Sequence, residues 1–344
     1  MGQRLGHLEH NRHVRVCVLT TSYPSAENPI AGSFVATAVA GVRRHGVVVD
    51  VVSPETFSHF GVAYGGGIAQ NLRRAPWKLA LVPAFLAAYT RAARQAARDA
   101  DLVHAHWIPS ALAARATGKP YIVQVWGTDV ELARRAPRFV APLLRQARLV
   151  IAASSFLADA ARRLGARSVE VVPTGVHVPS SVAAPADPAH VLYAGRLSEE
   201  KGVLELVDAV RDLPHVIVGD GPLRDRVPGA VGFVPPAQIG SYYERAAVVC
   251  VPSRREGFGM AAREALAYGR PVVASDVGGL SDLDEGTVLV PPRDPEALRA
   301  ALASLLAEPA RRAELGAAAR SYAASVLDED AAAAALIAAY HRSV

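Results

Sequence analysis

Two glutamates with seven residues between them, Glu256 and Glu264, enclose Gly257-Phe258-Gly259-Met260 and open an Ala-rich stretch that ends at Gly269-Arg270-Pro271. Three chemical tools meet within these nine residues. Glycines let backbone approach a ligand closely. A helix starting here offers free N–H groups and partial positive charge, which suit phosphate. The carboxylates at either end are acceptors suited to sugar or ribose hydroxyls. A single site built this way holds the phosphates and the hydroxyl-rich parts of a sugar nucleotide. Each residue alone has a plainer reading: Glu256 as a helix-dipole partner, Glu264 as a solvated helical acid, the glycines as ordinary turn residues.

A second segment adds cations. Residues 190–195 form a short apolar run that reads as a buried strand. Arg196-Leu197-Ser198-Glu199-Glu200-Lys201-Gly202 follows, and then an amphipathic helix over 203–211. Strand, short loop and helix place the loop at the carboxyl edge of a parallel sheet, where ligands bind. Arg196 and Lys201 on that edge suit a diphosphate, each charge-assisted hydrogen bond contributing roughly 1.5–3 kcal/mol. The alternative is a surface pair between Lys201 and Glu199 or Glu200, which contributes little. Of 37 basic residues, only Lys78, Lys119 and Lys201 are lysines, so this chain does not rely on lysine for solubility.

With these residues the chain resembles the retaining glycosyltransferases of family 4, which have the GT-B architecture. The resemblance rests on Gly195-Arg196-Leu197, Glu200-Lys201-Gly202 and the Glu256/Glu264 pair. It extends, in the family's order, through Thr21-Ser22-Tyr23-Pro24, Gly32-Ser33-Phe34-Val35, Val103-His104-Ala105-His106 and Gly127-Thr128-Asp129. It continues in Val172-Pro173-Thr174-Gly175-Val176, Gly219-Asp220-Gly221-Pro222 and Asp276-Val277-Gly278-Gly279. The resemblance implies that Arg196 and Lys201 hold a donor diphosphate and that Glu264 accepts from the ribose. Glu256, with the N–H groups of Phe258, Gly259 and Met260, orients the transferred sugar and meets the phosphate. Gly32 lets backbone near phosphate and acceptor, the segment Gly232-Phe233-Val234 lies beside the nucleobase, and Asp129 belongs to the substrate site. Many family members carry His directly before the Gly-x-Asp; here Trp126 stands there, a residue that donates one hydrogen bond and is not a base. His106 is a candidate to replace that contact, with a purely structural role as the alternative.

The implied activity is metal-independent, retaining transfer of a sugar from a nucleotide diphosphate donor to a saccharide, lipid-linked or small-molecule acceptor. No further cofactor and no metal site is expected: Asp282-x-Asp284 falls after the Gly278-Gly279 turn rather than at a strand end. Front-face displacement, with the leaving phosphate oxygen taking the acceptor proton, is what the family suggests. Two other classes share the architecture, a sugar-nucleotide 2-epimerase and a non-catalytic nucleotide-sugar sensor. A nicotinamide-dependent oxidoreductase fits poorly, since the first strand leads into Thr20-Thr21-Ser22-Tyr23-Pro24 instead of a Gly-x-Gly-x-x-Gly turn, and Gly65-Gly66-Gly67 follows no convincing strand.

The elements that must position these residues follow from length and periodicity. A chain of 344 residues, 51% hydrophobic, makes about two domains at ~150 residues each. Short β-branched runs at 14–19, 47–52, 102–106, 121–125, 149–153 and 169–172 alternate with helical stretches such as 33–44, 79–98 and 155–164. The plan repeats with runs at 191–194, 216–218, 248–251, 272–274 and 288–290. Alternation of this kind predicts two doubly wound, Rossmann-like α/β domains facing a cleft. The expected limits are 1–178, a linker at 179–189, 190–327, and a final helix within 328–344 that the resemblance returns to the first domain.

Charge is divided between the halves: residues 1–180 carry +11 and residues 181–344 carry −6, for a net +5. A basic first half suits an anionic acceptor or an anionic membrane surface. Arg73, Arg74, Trp77 and Lys78, followed by 79–98, read either as a membrane-lying helix at the inner face or as an Arg-rich solvated face. Nothing resembles a nucleic-acid motif. Cys17 and Cys250, isolated in apolar runs, read as reduced core thiols, and the polar start (His7, Glu9, His10, Arg12) as no signal peptide; a cytoplasmic protein is expected.

Overall fold

The computed structural model describes residues 14–26, 28, 30–63 and 67–344. The polar segment with His7, Glu9, His10 and Arg12, and Gly65 and Gly66, lie outside the described residues. Eleven strands appear: β1 (Arg15–Leu19), β2 (Val48–Val52), β3 (Leu102–His106), β4 (Tyr121–Val125), β5 (Leu149–Ala152), β6 (Val169–Val171), β7 (Val191–Ala194), β8 (His215–Val218), β9 (Val248–Val251), β10 (Val272–Ser275) and β11 (Thr287–Val290). They form two parallel sheets, ordered β2-β1-β3-β4-β5-β6 and β11-β10-β9-β7-β8. Both are covered on both faces, which is why their strands read as nearly continuous apolar runs.

Alternation sorts the strand side chains. Cys17 and Leu19 of β1 pack with Tyr89 and Ala93 beneath one face. Val16 and Val18 pack with Val35 and Val39 beneath the other. The last helix, Glu329–Ser343, lies on this second face of the first sheet, adding Ala333, Leu336, Ala339 and Tyr340 to the core. Tyr340 Oη lies 2.9 Å from His104 Nδ1, and burial pushes that imidazole down to about 3. Residues 179–189 are held on the second sheet's half. There Arg270 donates to the Ala183 carbonyl at 2.5 Å and the Glu244 carbonyl at 2.6 Å, and Ala186 N–H reaches the Arg245 carbonyl at 3.0 Å.

Local differences have local causes. The stretch 79–98 is a 3-10 segment, Pro76–Leu81, followed by a helix over Val82–Ala96, because Pro83 lacks an N–H and is accommodated only in a first helical turn. Helices Ser110–Ala116, Thr128–Ala133 and Pro137–Gln146 fill connections after β3 and β4 that the apolar alternation leaves unassigned. Burial raises both cysteines, Cys17 to about 12 and Cys250 further, in keeping with inert core thiols.

Each sheet reverses its winding once. The chain leaves β1 for β2 on one side and returns for β3 on the other; it leaves β7 for β8 and returns for β9. Ligand crevices form at such points, beyond the strands' carboxyl ends. The loops after β7 and β9 are those that carry Arg196–Lys201 and Glu256–Gly259.

Candidate active site

A cavity of ≈ 720 Å³ opens where these loops face the loops after β1, β3 and β4 of the first sheet. Among the described residues the second sheet's half contributes all the lining charge: Arg196, Lys201, Asp220, Glu256 and Glu264. The first contributes three aromatic rings and one hydroxyl, from Phe34, Trp107, Trp126 and Thr128.

Lys201 Nζ lies 2.6 Å from Glu256 Oε2, an ion pair whose side chains are 31% and 14% exposed. Ser253 Oγ donates to the same oxygen at 3.3 Å. Glu200 instead meets Arg255 at 3.4 Å, so the surface pair between Lys201 and its neighbouring acids does not form. Among the described residues the exposed Arg196 guanidinium has no protein partner; its carbonyl accepts from Tyr193 Oη at 2.8 Å, which fixes the turn.

Glu256 precedes the helix Met260–Ala267 by one turn, and Gly259 caps that helix at φ +86°. A Cβ on Gly259 would lie 2.5 Å from Leu280 Cδ2, so both backbone angle and space demand glycine. Phe258, Gly259 and Met260 line the cavity at the helix's amino end. One turn further, Glu264 is mostly buried and accepts from Tyr243 Oη at 2.8 Å. Burial raises its carboxyl above the ordinary value, and the tyrosine bond opposes that rise. Val234 lines the cavity's far wall with Phe233 and Ile239.

Three expected site residues stand behind the lining. Gly32 caps the helix Ser33–Arg44 at φ +59°; a Cβ there would fall 2.2 Å from the Ser22 carbonyl oxygen, so its glycine serves the packing of the loop after β1. Asp129 is buried: Oδ1 accepts from the Trp126 and Gly127 N–H groups and Oδ2 from Ile108 N–H, each at 3.0 Å. Burial raises this carboxyl and the backbone bonds oppose the rise; its visible work is to stitch the loops after β3 and β4 together. His106, 1% exposed, stacks between His104 at 4.2 Å and Trp126 at 5.8 Å. Burial, then the neighbouring His104, holds it well below the usual imidazole value, so it supports the Trp126 ring as a neutral group.

Trp126 itself lines the cavity, tilted against Phe34 at 4.3 Å, while its indole nitrogen is buried without a partner. Sequence reasoning missed Trp107 and Tyr243. Trp107 takes φ +64° immediately after β3, a rare angle for a bulky residue, of the kind that gathers at functional sites. Its position just past His106, at the sheet's carboxyl edge, was the available signal. Tyr243 carries no such mark, being an interior helix residue until its partner is known. Asp282 accepts from Ser155 N–H at 2.7 Å and from Ser155 Oγ, and so caps a helix of the other half. Among the described residues no group of three or more His, Cys, Asp or Glu is placed to hold a metal ion.

Residues 31–178 match the family described as Glycosyltransferase Family 4, and residues 188–308 match Glycosyl transferases group 1. A D-inositol 3-phosphate glycosyltransferase of Xylanimonas cellulosilytica is 32% identical over 302 residues, covering 70% of this chain and 71% of that one. The chain belongs to glycosyltransferase family 4. A putative teichuronic acid biosynthesis glycosyltransferase of Bacillus subtilis, TuaC, is 26% identical over 84% of this chain and 88% of its own. Among solved structures, sucrose-phosphate synthase from Thermosynechococcus elongatus superposes with TM-score 0.77 at 22% identity, covering 96% and 98% of the two chains. Anabaena HepE, solved in complex with UDP-glucose, superposes with TM-score 0.71 at 20% identity, covering 95% and 100%. At these identities the likeness speaks for the fold, and this family 4 glycosyltransferase has the GT-B fold.

Proposed function

We propose that this glycosyltransferase moves a sugar from a nucleoside diphosphate donor to an acceptor hydroxyl, with retention of configuration and without a metal ion. One observation carries the reading: Arg196, Lys201, Glu256 and the amino end of the helix Met260–Ala267 converge on one cavity. Arg196, Lys201 and the N–H groups of Phe258, Gly259 and Met260 supply the positive potential that a departing diphosphate needs, which is the largest contribution to rate in such reactions. Glu264, oriented by Tyr243, accepts from the ribose, and Val234 lies beside the base. Glu256, held by Lys201 and Ser253, accepts from the transferred sugar, which faces Trp126. The acceptor enters from the first sheet's side, and the leaving phosphate oxygen takes its proton on the same face.

The two halves, 1–178 and 190–327 joined by 179–189, enclose the donor between them, with 328–344 returned to the first. A phosphorylated, acidic or lipid-linked acceptor suits the +11 of residues 1–180. Peripheral contact with an anionic membrane at its cytoplasmic face is part of this reading. Trp77 and Leu79 are 67% and 59% exposed beside Lys78, and no helix among the described residues is long and apolar enough to cross a membrane.

The test is a thermal-shift panel of UDP-, GDP-, ADP- and dTDP-sugars, then NMR of the product formed with the stabilising donor. A ligand at 100 times its Kd adds about 2.7 kcal/mol, so one donor class should stand out. Turnover surviving a chelator and a product of retained configuration are expected. An inverted anomer, or a 2-epimer made catalytically without acceptor, defeats the proposal.

A further inference from the structure

Beneath the phosphate-facing turn lies a cation that touches no ligand surface. Arg263 is 2% exposed, one turn into the helix Met260–Ala267, and its side chain runs back toward the helix's amino end. Its guanidinium donates from Nη1 to the Phe258 carbonyl and from Nη2 to the Gly279 carbonyl at 3.2 Å. Its centre sits 3.7 Å from the centroid of the Phe258 ring. It thereby staples two turns that already meet, since Gly279 N–H donates to the Glu256 carbonyl at 3.0 Å and a Cβ on Gly278 would fall 2.0 Å from that oxygen.

Very little separates this cation from the cavity. A Cβ on Gly259, which lines the cavity, would lie 3.4 Å from Arg263 Nη1 and 3.5 Å from Glu256 Cγ. Gly259 thus borders both the guanidinium and the cavity, with the Phe258 ring beside it. Among the described residues no carboxylate forms an ion pair with Arg263. Burial lowers it to about 10, so it stays protonated at neutral pH. Besides two carbonyls and the Phe258 ring, the Glu256 and Asp282 carboxylates favour its charge from a distance without forming an ion pair, and an anion arriving beyond Gly259 adds to that compensation.

Resting on the donor reading, we propose that Arg263 is a positioning residue for the diphosphate: it fixes the N–H directions of residues 258–260 and extends a buried positive charge through Gly259 to the ligand. The inference makes a distinction that a merely structural arginine does not. Its loss must weaken binding of the phosphates and spare binding of the nucleoside.

Calorimetry with UDP, UMP and uridine, and with GDP, GMP and guanosine, tests this on wild type, Arg263→Met, Arg263→Gln and Arg263→Lys. Through a medium of effective dielectric ~20 the lost charge should weaken UDP or GDP on the order of 10-fold or more. Uridine or guanosine should change less than about 2-fold, below the ~3-fold of a single weak hydrogen bond. The diphosphate-to-nucleoside affinity ratio should fall in the order wild type, Lys, then Gln and Met together. Gln, which still donates to a carbonyl, carries the test if Met does not fold. Ratios unchanged in the neutral variants, or nucleoside and diphosphate weakened equally, overturn the inference while leaving the donor reading intact. A folded wild type with no preference for UDP over uridine or GDP over guanosine overturns the donor reading, and this inference with it.

Discussion

Lys201→Ala separates two effects that the ion pair with Glu256 keeps together. The substitution removes a cation from the proposed diphosphate site, and it also leaves the Glu256 carboxylate with only the Ser253 hydroxyl at 3.3 Å. Unit charges ~4 Å apart at an effective dielectric of ~20 interact by about 4 kcal/mol. Lys201 is about one-third open to solvent, which screens part of this, so about 3–4 kcal/mol is the working figure. That corresponds to a loss on the order of 10²–10³ in kcat. Part of the accompanying loss in donor affinity comes from the orphaned carboxylate repelling the incoming diphosphate. Adding Glu256→Gln to Lys201→Ala should therefore recover affinity for UDP or GDP relative to the single variant, while turnover stays low because the sugar's acceptor group is gone. Initial rates give kcat and KM, calorimetry gives nucleotide affinity, and the four proteins form a double-mutant cycle. Near-wild-type transfer by Lys201→Ala, or strictly additive effects on nucleotide binding, refutes the argument that one pair serves both the resting carboxylate and the departing phosphate.

Gly259→Ala should destabilise the fold by about 2–4 kcal/mol, from left-handed backbone strain of ~1–2 kcal/mol and overlap with Leu280, seen as a lower urea midpoint at unchanged slope. Glu264→Gln should flatten part of the pH dependence of stability: the wild-type carboxyl is raised by burial, so its contribution is full below the unfolded-state value and is lost as pH rises through the folded one. The variant should thus melt higher than wild type at neutral pH yet bind nucleoside more weakly; a lower melting temperature with the same pH slope contradicts the burial argument.

Sheet and strand placement were legible because buried parallel strands announce themselves as β-branched runs, as in 14–19 and 248–251, where no competing periodicity intervenes. The carboxyl-edge position of Arg196, Lys201 and Glu256 was legible for the same reason: strand, loop and helix in sequence fix the edge without fixing a single side-chain angle. What a side chain touches once it reaches the edge was not legible. Lys201 has three carboxylates within reach in sequence or space; it pairs with Glu256, brought from the loop after β9, while Glu200 meets Arg255 from the same loop, and both are long-range events. His106 and Asp129 sit in family-like segments yet face inward: His106 stacks between His104 and Trp126, and Asp129 accepts from three backbone N–H groups, while Trp107, at φ +64° just past β3, lines the cavity. These partners come from separate strands and loops, and no local pattern encodes them.

The division of the cavity follows from this. A diphosphate demands cations and N–H groups, and among the described residues the second sheet's half provides every charged lining residue. The facing wall is Phe34, Trp107 and Trp126, backed by neutral His106, with the Trp126 nitrogen turned into the protein. Under the proposed reading, an aromatic wall across from a charged one orients the donor with its phosphates against the second half and its sugar toward the rings. Apart from the Glu256 carboxylate, engaged by Lys201 and Ser253, the base nearest the reacting carbon in that reading is the leaving phosphate oxygen itself. Under the proposed chemistry that oxygen collects the acceptor's proton, and the three rings of the facing wall offer it no competing base.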